Sequence, residues 1–432
     1  MIKKSLLKRL SLVLAGTILL GTVAGCSKST STSKGSSDEP VTLKLALWGE
    51  GDYKYLTETN NLTEAYKKDH PNVTIEIEHI APKEYDNTMK IRNTANQLPD
   101  VFPIRQAQLS LYGDVMVPLN DLKATENNLY AKETMIKGNV IGIPQAAFNE
   151  FVFYNKNIFK EYNLQVPTTW DEFLKVCQTI KDGKKYIPLL LGGSDGWPDY
   201  PFNEYMPMLE AGDGQYYNKM ATMDEPFTKG QPFYNAYEKI QKLYDAKVCG
   251  DDPLGYGWDQ ERAMFVAGKG AMMAAGSWYK DDYDQNGGKD ENLGVFLLPT
   301  RNTTSDPFYT TAMTEFFWGI PKTCKNQKEA KEFLEWFFGG DYYAQMVGSL
   351  KQKPTVKGVK YDDKFFAQAF KGIDAKPVTI FYDDAYNKIM NAMKFDVKGI
   401  GQQMMGGQTS LDSIMNDLNA QWKKARQEVT NK

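Results

Sequence analysis

From residue 41 onward the chain switches between two hydrophobic periods. Val41, Leu43, Leu45 and Leu47 recur at every second position, which predicts a strand with one buried face. The stretch NLTEAYKKD then reads as helix, stopped by His70-Pro71, and Val73, Ile75 and Ile77 restore the period of two. A second helical stretch follows, and Leu98-Pro99-Asp100-Val101-Phe102 reads as a loop entering a short strand. Further on, Thr169 and Glu172 have the spacing of a capping box, with Phe173, Cys177 and Ile180 as the apolar stripe and Gly183 as the stop. YIPLLL reads as a buried strand, followed by the turn-rich GGSDGWPDYP. Asn326 is placed to cap a helix carrying Ala330, Phe333, Leu334 and Phe337, ending at Gly339-Gly340. A last helix begins near Ser410, with Leu411, Ile414, Leu418 and Trp422 on one side. Strands alternating with helices predict an α/β sheet flanked by helices, and ligands of such sheets bind beyond the carboxyl ends of the strands. Trp48 and Asp100 are expected near such ends. No repeat of solenoid period is present.

The first forty residues follow a different pattern. Lys3, Lys4, Lys8 and Arg9 form a basic patch, and Leu10 to Ala24 is apolar but too short to span a membrane comfortably. Val23-Ala24-Gly25-Cys26 closes the segment. This resembles a bacterial lipobox, which implies a signal peptide over 1–25, lipidation of Cys26, and a protein held at the outer face of the cell membrane. Ser27 to Pro40 lacks apolar side chains to offset its ordering entropy, so 26–40 is expected to be a flexible tether reaching about 20 Å.

Composition removes several function classes. The 432 residues carry 51 Lys and Arg against 54 Asp and Glu, a net charge of −3. Four of the basic residues belong to the leader, so the body is more negative still and has no footprint for nucleic acid. Two histidines, His70 and His79, leave little room for a histidine base or a zinc site. With Cys26 assigned to lipid, Cys177, Cys249 and Cys324 form no CxxC pair, and Cys177 reads as a small buried hydrophobe. No run of 18 apolar residues occurs.

Three motifs suggest chemistry and then fail. Gly192-Gly193-Ser194-Asp195-Gly196 matches G-x-S-x-G, but both histidines lie upstream and Pro198 and Pro201 oppose a following helix. Asp282, Asp284, Asn286 and Gly287 open like a calcium loop, yet the twelfth position is Leu293; Asp290 and Glu291 are near, and a solvated acidic turn is the better reading. Gly268-Lys269 lacks the rest of a phosphate loop. Neither a catalytic residue, a cofactor nor a metal is expected. The aromatic signal is stronger, with 25 Tyr, 22 Phe and 8 Trp, none before Trp48. Trp48, Trp197 and Trp278 stand at expected strand ends or turns beside small or polar residues. A flat ring covers the C–H face of a sugar while neighbouring polar groups bind its hydroxyls.

Ordered short strings along the chain carry a family resemblance. They are Leu98 to Phe102, Phe153-Tyr154-Asn155-Lys156, Val166 to Phe173, Phe265 through Gly268-Lys269-Gly270 to Gly276-Ser277-Trp278, Leu297-Leu298-Pro299, Gly319-Ile320-Pro321-Lys322 and Ala330 to Leu334. The sequence resembles the bacterial extracellular solute-binding proteins of the maltose-binding-protein type, which serve ABC importers. The resemblance implies a two-lobed periplasmic-binding-protein-like (type II) α/β fold, each lobe a mixed sheet flanked by helices, with a ligand cleft between them. It implies one lobe from 41–147 and 316–350, another from 148–315 and 351–432, and a first crossing over Pro144 to Phe153. The tryptophan after Gly-Ser maps to Trp278 as a sugar platform. Trp48, Asp100, Asn149, Trp197 and, with less support, Asp52 are the other expected ligand groups.

The mechanism expected is capture of a mono- or oligosaccharide by hinge closure, followed by docking of a monomeric carrier on the transmembrane subunits of an ABC permease. Two rivals remain open at this stage. One is a polyamine or peptide cargo, for which a polyamine would need cleft carboxylates such as Asp52, Asp100, Asp195 and Asp199; the other is a lipid-anchored glycosidase, which would need two carboxylates about 5–10 Å apart.

Overall fold

The computed structural model describes residues 40–360 and 364–430. The leader, Cys26 and the tether up to residue 39 lie outside the described residues. The first expected strand forms as β1 (Val41–Leu47), burying Leu43, Leu45 and Leu47. It pairs in parallel with β2 (Val73–His79), from Val41 opposite Val73 to Leu47 opposite His79. A parallel bridge from Leu45 to Val101 brings in β3 (Phe102–Ile104). The chain later reaches β4 (Ile143–Phe148) and, after Asn149 alone, β5 (Glu150–Asn155).

These two strands belong to different sheets, so the single residue Asn149 is a crossing, inside the 144–153 segment expected. A second sheet of order β6-β7-β5-β8 is completed by β6 (Ile187–Leu190), β7 (Gly270–Gly276) and β8 (Leu293–Leu297). The chain returns through β9 (Phe308–Thr311), Ala312 and β10 (Met313–Gly319), which lies antiparallel between β3 and β4. β11 (Lys353–Pro354) then pairs with β4, and β12 (Ala375–Val378) pairs in parallel with β9. Ladder bonding to β4 thus carries Met313 to Glu315 and Lys353-Pro354 into the first sheet. The expected boundaries at 316 and 350 assigned those residues to the other lobe.

The helices follow their stripes. Trp170–Asp182 starts at the capping box: the Glu172 N–H donates to Thr169 Oγ1 at 3.3 Å and the Thr169 N–H to Glu172 Oε2 at 3.2 Å. It buries Phe173, Cys177 and Ile180. Cys177, Cys249 and Cys324 are all free and buried, and burial pushes the Cys177 thiol up. Asn326 precedes the helix Gln327–Gly339 as expected, but its side chain makes no capping bond. The last helix spans Leu411–Thr430.

The presumed acidic turn is corrected. Asp282 and Asp284 lie on a helix, Tyr279–Gln285, where Asp282 accepts from Arg262 at 2.7 Å and Asp284 from Lys280 at 2.6 Å. Those cations already neutralise the carboxylates. Among the described residues no group of three or more His, Cys, Asp or Glu is arranged to hold a metal ion, and no helix is long and apolar enough to cross a membrane.

The backbone just past β12 is packed without room to spare. A Cβ on Gly214 would lie 1.9 Å from the carbonyl oxygen of Thr379, just past β12. Gly214→Ala is expected to destabilise the protein by about 1–3 kcal/mol through this backbone collision. Thermal melting of the variant checks it, and an unchanged midpoint would count against the packing described.

Candidate functional site

The carboxyl end of β1 delivers Trp48, and the middle of β10 delivers Phe316 against it. The two rings are stacked at 4.2 Å between centroids and 2° between planes. Tyr85, from the helix Pro82–Thr94, tilts against the same indole at 4.8 Å, and the Arg105 guanidinium stands 5.9 Å from its centre. Phe316 has φ +56°, the left-handed region, within a strand. For a bulky non-glycine residue that costs about 1–3 kcal/mol and persists only where the surroundings enforce it.

The second sheet supplies a facing set of rings. Trp278 follows β7, Trp258 opens the helix Trp258–Val266, and Trp197 sits in the turn after β6. Trp258 lies 4.8 Å from Trp197 and 5.3 Å from Trp278, and all three are half-buried. Gly276 gives Trp278 its room, since a Cβ there would come within 2.3 Å of the indole nitrogen. Asp195 joins the two sides. One carboxylate oxygen accepts the Trp258 N–H at 2.9 Å, the other meets the Lys83 ammonium of the first lobe at 3.1 Å. That backbone bond, with help from Lys83, holds the Asp195 carboxyl below its usual range.

Between the ring sets lies a polar floor rich in carboxylates. Arg105 is 3.6 Å from Asp86 and interacts with Glu315 and Glu204. The Gln106 N–H donates to Glu315 at 3.1 Å, and Tyr382 donates to Glu204 at 3.0 Å. Tyr200 donates to Glu150 at 2.7 Å and accepts the Gly276 N–H at 3.0 Å. Burial pushes Glu315 up to about 7 and Glu150 up to about 8, so desolvation outweighs these partners.

Three expected ligand groups are used elsewhere. Asp52 is buried, accepting from Gln145 at 2.5 Å and from Gln352 at 3.2 Å, while Trp318 donates to Gln145 at 2.8 Å. Burial raises its carboxyl to about 6. Asp100 accepts the Lys44 N–H at 2.9 Å, three residues short of the end of β1, and lies beside Cys324, which follows β10. It therefore lies level with the middle of β1 and ahead of β3, away from the carboxyl end that carries Trp48. The Asn149 amide donates to the Thr311 carbonyl, and the Glu150 N–H to Thr311 Oγ1 at 2.7 Å, which ties two crossings together. The structure brings Trp197 and Trp278 into one wall, with Trp48 on the other lobe, and leaves Asp52, Asp100 and Asn149 out.

Sequence reasoning missed Trp258, Phe316, Arg105, Lys83 and the Glu150–Tyr200 pair. Trp258 follows Gly255-Tyr256-Gly257, a turn signal of the kind that singled out Trp278. Nothing local marks the others. Ser194 of the G-x-S-x-G string is exposed in a short turn ending at Gly196, φ +73°.

Residues 53–343 match the family model of bacterial extracellular solute-binding proteins. The chain belongs to this family. It is similar to the melibiose/raffinose/stachyose-binding protein MelE of Bacillus subtilis, 24% identical over 375 residues covering 85% of this chain and 86% of that protein. It is also similar to the multiple sugar-binding protein of Streptococcus mutans, 24% identical over 360 residues, 79% of this chain and 80% of that one. Among solved structures, the binding protein RafE in complex with raffinose superposes with a TM-score of 0.75 at 20% identity, over 89% of this chain and 99% of that chain. BlMnBP1 of Bifidobacterium animalis subsp. lactis, in complex with mannobiose, gives 0.76 at 19% identity, over 90% and 96%. At such identities the likeness carries the fold, the two-lobed α/β architecture of the solute-binding proteins.

The buried carboxylates make this solute-binding protein sensitive to pH. Asp52 at about 6, Glu315 at about 7, and Glu150, Asp199 and Glu261 at about 8 all lie above their ordinary values through burial. Between about pH 4.5 and 8 the folded state then binds more protons than the unfolded chain, so stability falls as pH rises. Carboxyls held low, such as Glu78 and Glu172, titrate below that window. The melting temperature is expected to be higher at pH 5.5 than at pH 8.5, and Glu150→Gln to flatten that decline. A midpoint rising through this range would contradict the assignment.

Proposed function

We propose that this solute-binding protein captures an oligosaccharide between its lobes and presents it to the transmembrane subunits of an ABC importer. The observation that carries the reading is the pair of aromatic surfaces on separate lobes, Trp48 on one and Trp197, Trp258 and Trp278 on the other. Polar groups at Arg105, Asp86, Glu204 and Glu315 lie between them. Rings take the C–H faces of a sugar and the floor takes its hydroxyls. The printed names of relatives point the same way: melibiose, raffinose and stachyose for MelE, galactooligosaccharide for another Bacillus subtilis relative. Chitin oligosaccharide and mannotriose binding proteins share the fold.

The lobes divide at Asn149, at Ala312 and in the segment after Pro354, and close over the ligand by hinge motion there. The Lys83–Asp195 pair is a contact of the closed arrangement. Lipidation at Cys26 and the tether from Ser27 to Pro40 hold the carrier at the outer face of the membrane and raise its effective concentration at the permease. A second reading has its own support: the carboxylates around Arg105 outnumber it, which favours a ligand bearing an amine, such as a polyamine.

Ligand-dependent melting tests both. At 100 times its dissociation constant a ligand adds about 2.7 kcal/mol, a shift of several degrees. One neutral oligosaccharide series is expected to raise the midpoint, and Trp278→Ala to abolish the rise measured against the variant's own ligand-free melt. A rise with spermidine and with no sugar would replace the first reading by the second.

A further inference from the structure

Trp48 does not present itself as a free platform. One whole face of its indole is covered by Phe316, stacked in parallel at 4.2 Å. Phe316 is 7% exposed, while Trp48 is half-buried, so at most one face remains for a ligand.

Several features hold Phe316 in this place. It is the one aromatic among the described non-glycine residues with positive φ, and it lies within β10. The pairing of β10 with β4 runs Glu315 to Ala146 and then Phe317 to Pro144, skipping Phe316 and Gln145. Pro144 has no N–H to give the ladder. Gln145 sends its carbonyl to the hydroxyls of Tyr343 at 2.6 Å and Thr355 at 3.2 Å. Its amide is taken by Asp52 and Gln352. The turned backbone aims the ring at the end of β1, where Gly49 leaves room: a Cβ there would stand 2.9 Å from Asp52 Oδ2 and 3.1 Å from Phe316 Cζ. A strained residue, a broken ladder and a glycine therefore converge on one contact, the stack on Trp48. Strain of this kind clusters at ligand clamps.

We propose that Phe316 is a positioning residue for ligand capture, fixing Trp48 as a one-faced platform without touching the ligand itself. The role rests on the sugar-binding reading above, whereas the stack does not. Because β10 begins directly after the crossing at Ala312, the same residue links the platform to the strand that leaves the hinge.

Two readouts on the full chain test this. The first needs no ligand: acrylamide quenching of Trp48, isolated by difference from Trp48→Phe. Phe316→Ala is expected to raise quenching at least about twofold, since it uncovers a full indole face. The second is affinity for whichever oligosaccharide raises the wild-type melt. Phe316→Ala is expected to weaken it about three- to tenfold, the size of a lost aromatic pair, and Phe316→Tyr to restore it. Folding is controlled by Phe316→Gly. In an ordinary strand glycine melts below alanine, but at φ +56° it is expected to melt at or above Phe316→Ala. Unchanged quenching in Phe316→Ala overturns the proposal whether or not a sugar binds. Raised quenching with unchanged affinity overturns the positioning role and leaves the sugar reading intact. A wild type that binds no sugar sinks that reading together with the role, while the quenching still reports the stack.

Discussion

The architecture turns on a patch of backbone where the chain passes between its two sheets. Asn149 and Ala312 are the sole residues separating β4 from β5 and β9 from β10. Crossing backbone cannot join either sheet fully, so its polar groups need other partners. The Asn149 side chain supplies one by donating to the Thr311 carbonyl, Thr311 Oγ1 takes the Glu150 N–H, and the Ala312 N–H goes to Val378 at 2.9 Å. The first two crossings and β12 are thereby fastened at one place. Two of the cleft rings, Trp278 and Phe316, are set by their distance along a strand from this fastening. Trp278 follows β7, which pairs Gly276 with Glu150 beside the crossing, and Phe316 stands four residues past Ala312.

Burial at the cleft floor sets a second constraint. Carboxylates at Glu150 and Glu315 are costly to ionise there, and a structure selected for stability alone would not keep them. A ligand that brings hydroxyl donors supplies what the ionised forms lack. Asp52 illustrates the contrast. It is equally buried, but Gln145 and Gln352 occupy its oxygens, so it braces the helix Glu50–Lys54 that follows Trp48. Its effect on the cleft is indirect, through where that helix holds the end of β1.

These two constraints explain what was legible in the sequence. Periodicity reports which face of an element is buried, so β1, β2 and the Trp170–Asp182 and Gln327–Gly339 helices were readable. The Gly-Ser-Trp string at the end of β7 carried Trp278 with it. The internal partners of Asp52, Asp100 and Asn149 were not legible, for one shared reason. A polar side chain near a strand end is equally suited to a ligand or to an unpaired backbone group, and the choice depends on contacts from residues up to 300 positions away, as with Gln352 for Asp52. Phe316 was unreadable because a positive φ in a strand leaves no trace in a run of aromatic residues.

One signal was used only in part. Each tryptophan of the cleft has glycine within two positions: Gly49 after Trp48, Gly196 before Trp197, Gly257 before Trp258, Gly276 before Trp278. The cause is spatial. A Cβ on Gly49 would meet Phe316 and one on Gly276 the indole of Trp278, while one on Gly257 would lie 2.4 Å from the Asp195 carboxylate that caps the Trp258 helix. At Gly276 the Trp278 ring itself folds back into the space of the missing Cβ, while at Gly49 and Gly257 that space is taken by side chains packed beside the ring. Trp318 shows where the rule stops. It too adjoins a glycine, Gly319, yet it is fully buried, and there the missing Cβ makes room for the carbonyl of Ile141. Glycine beside tryptophan therefore marks close packing around a ring, and it points to a ligand surface only where the fold leaves that ring half-buried at the cleft.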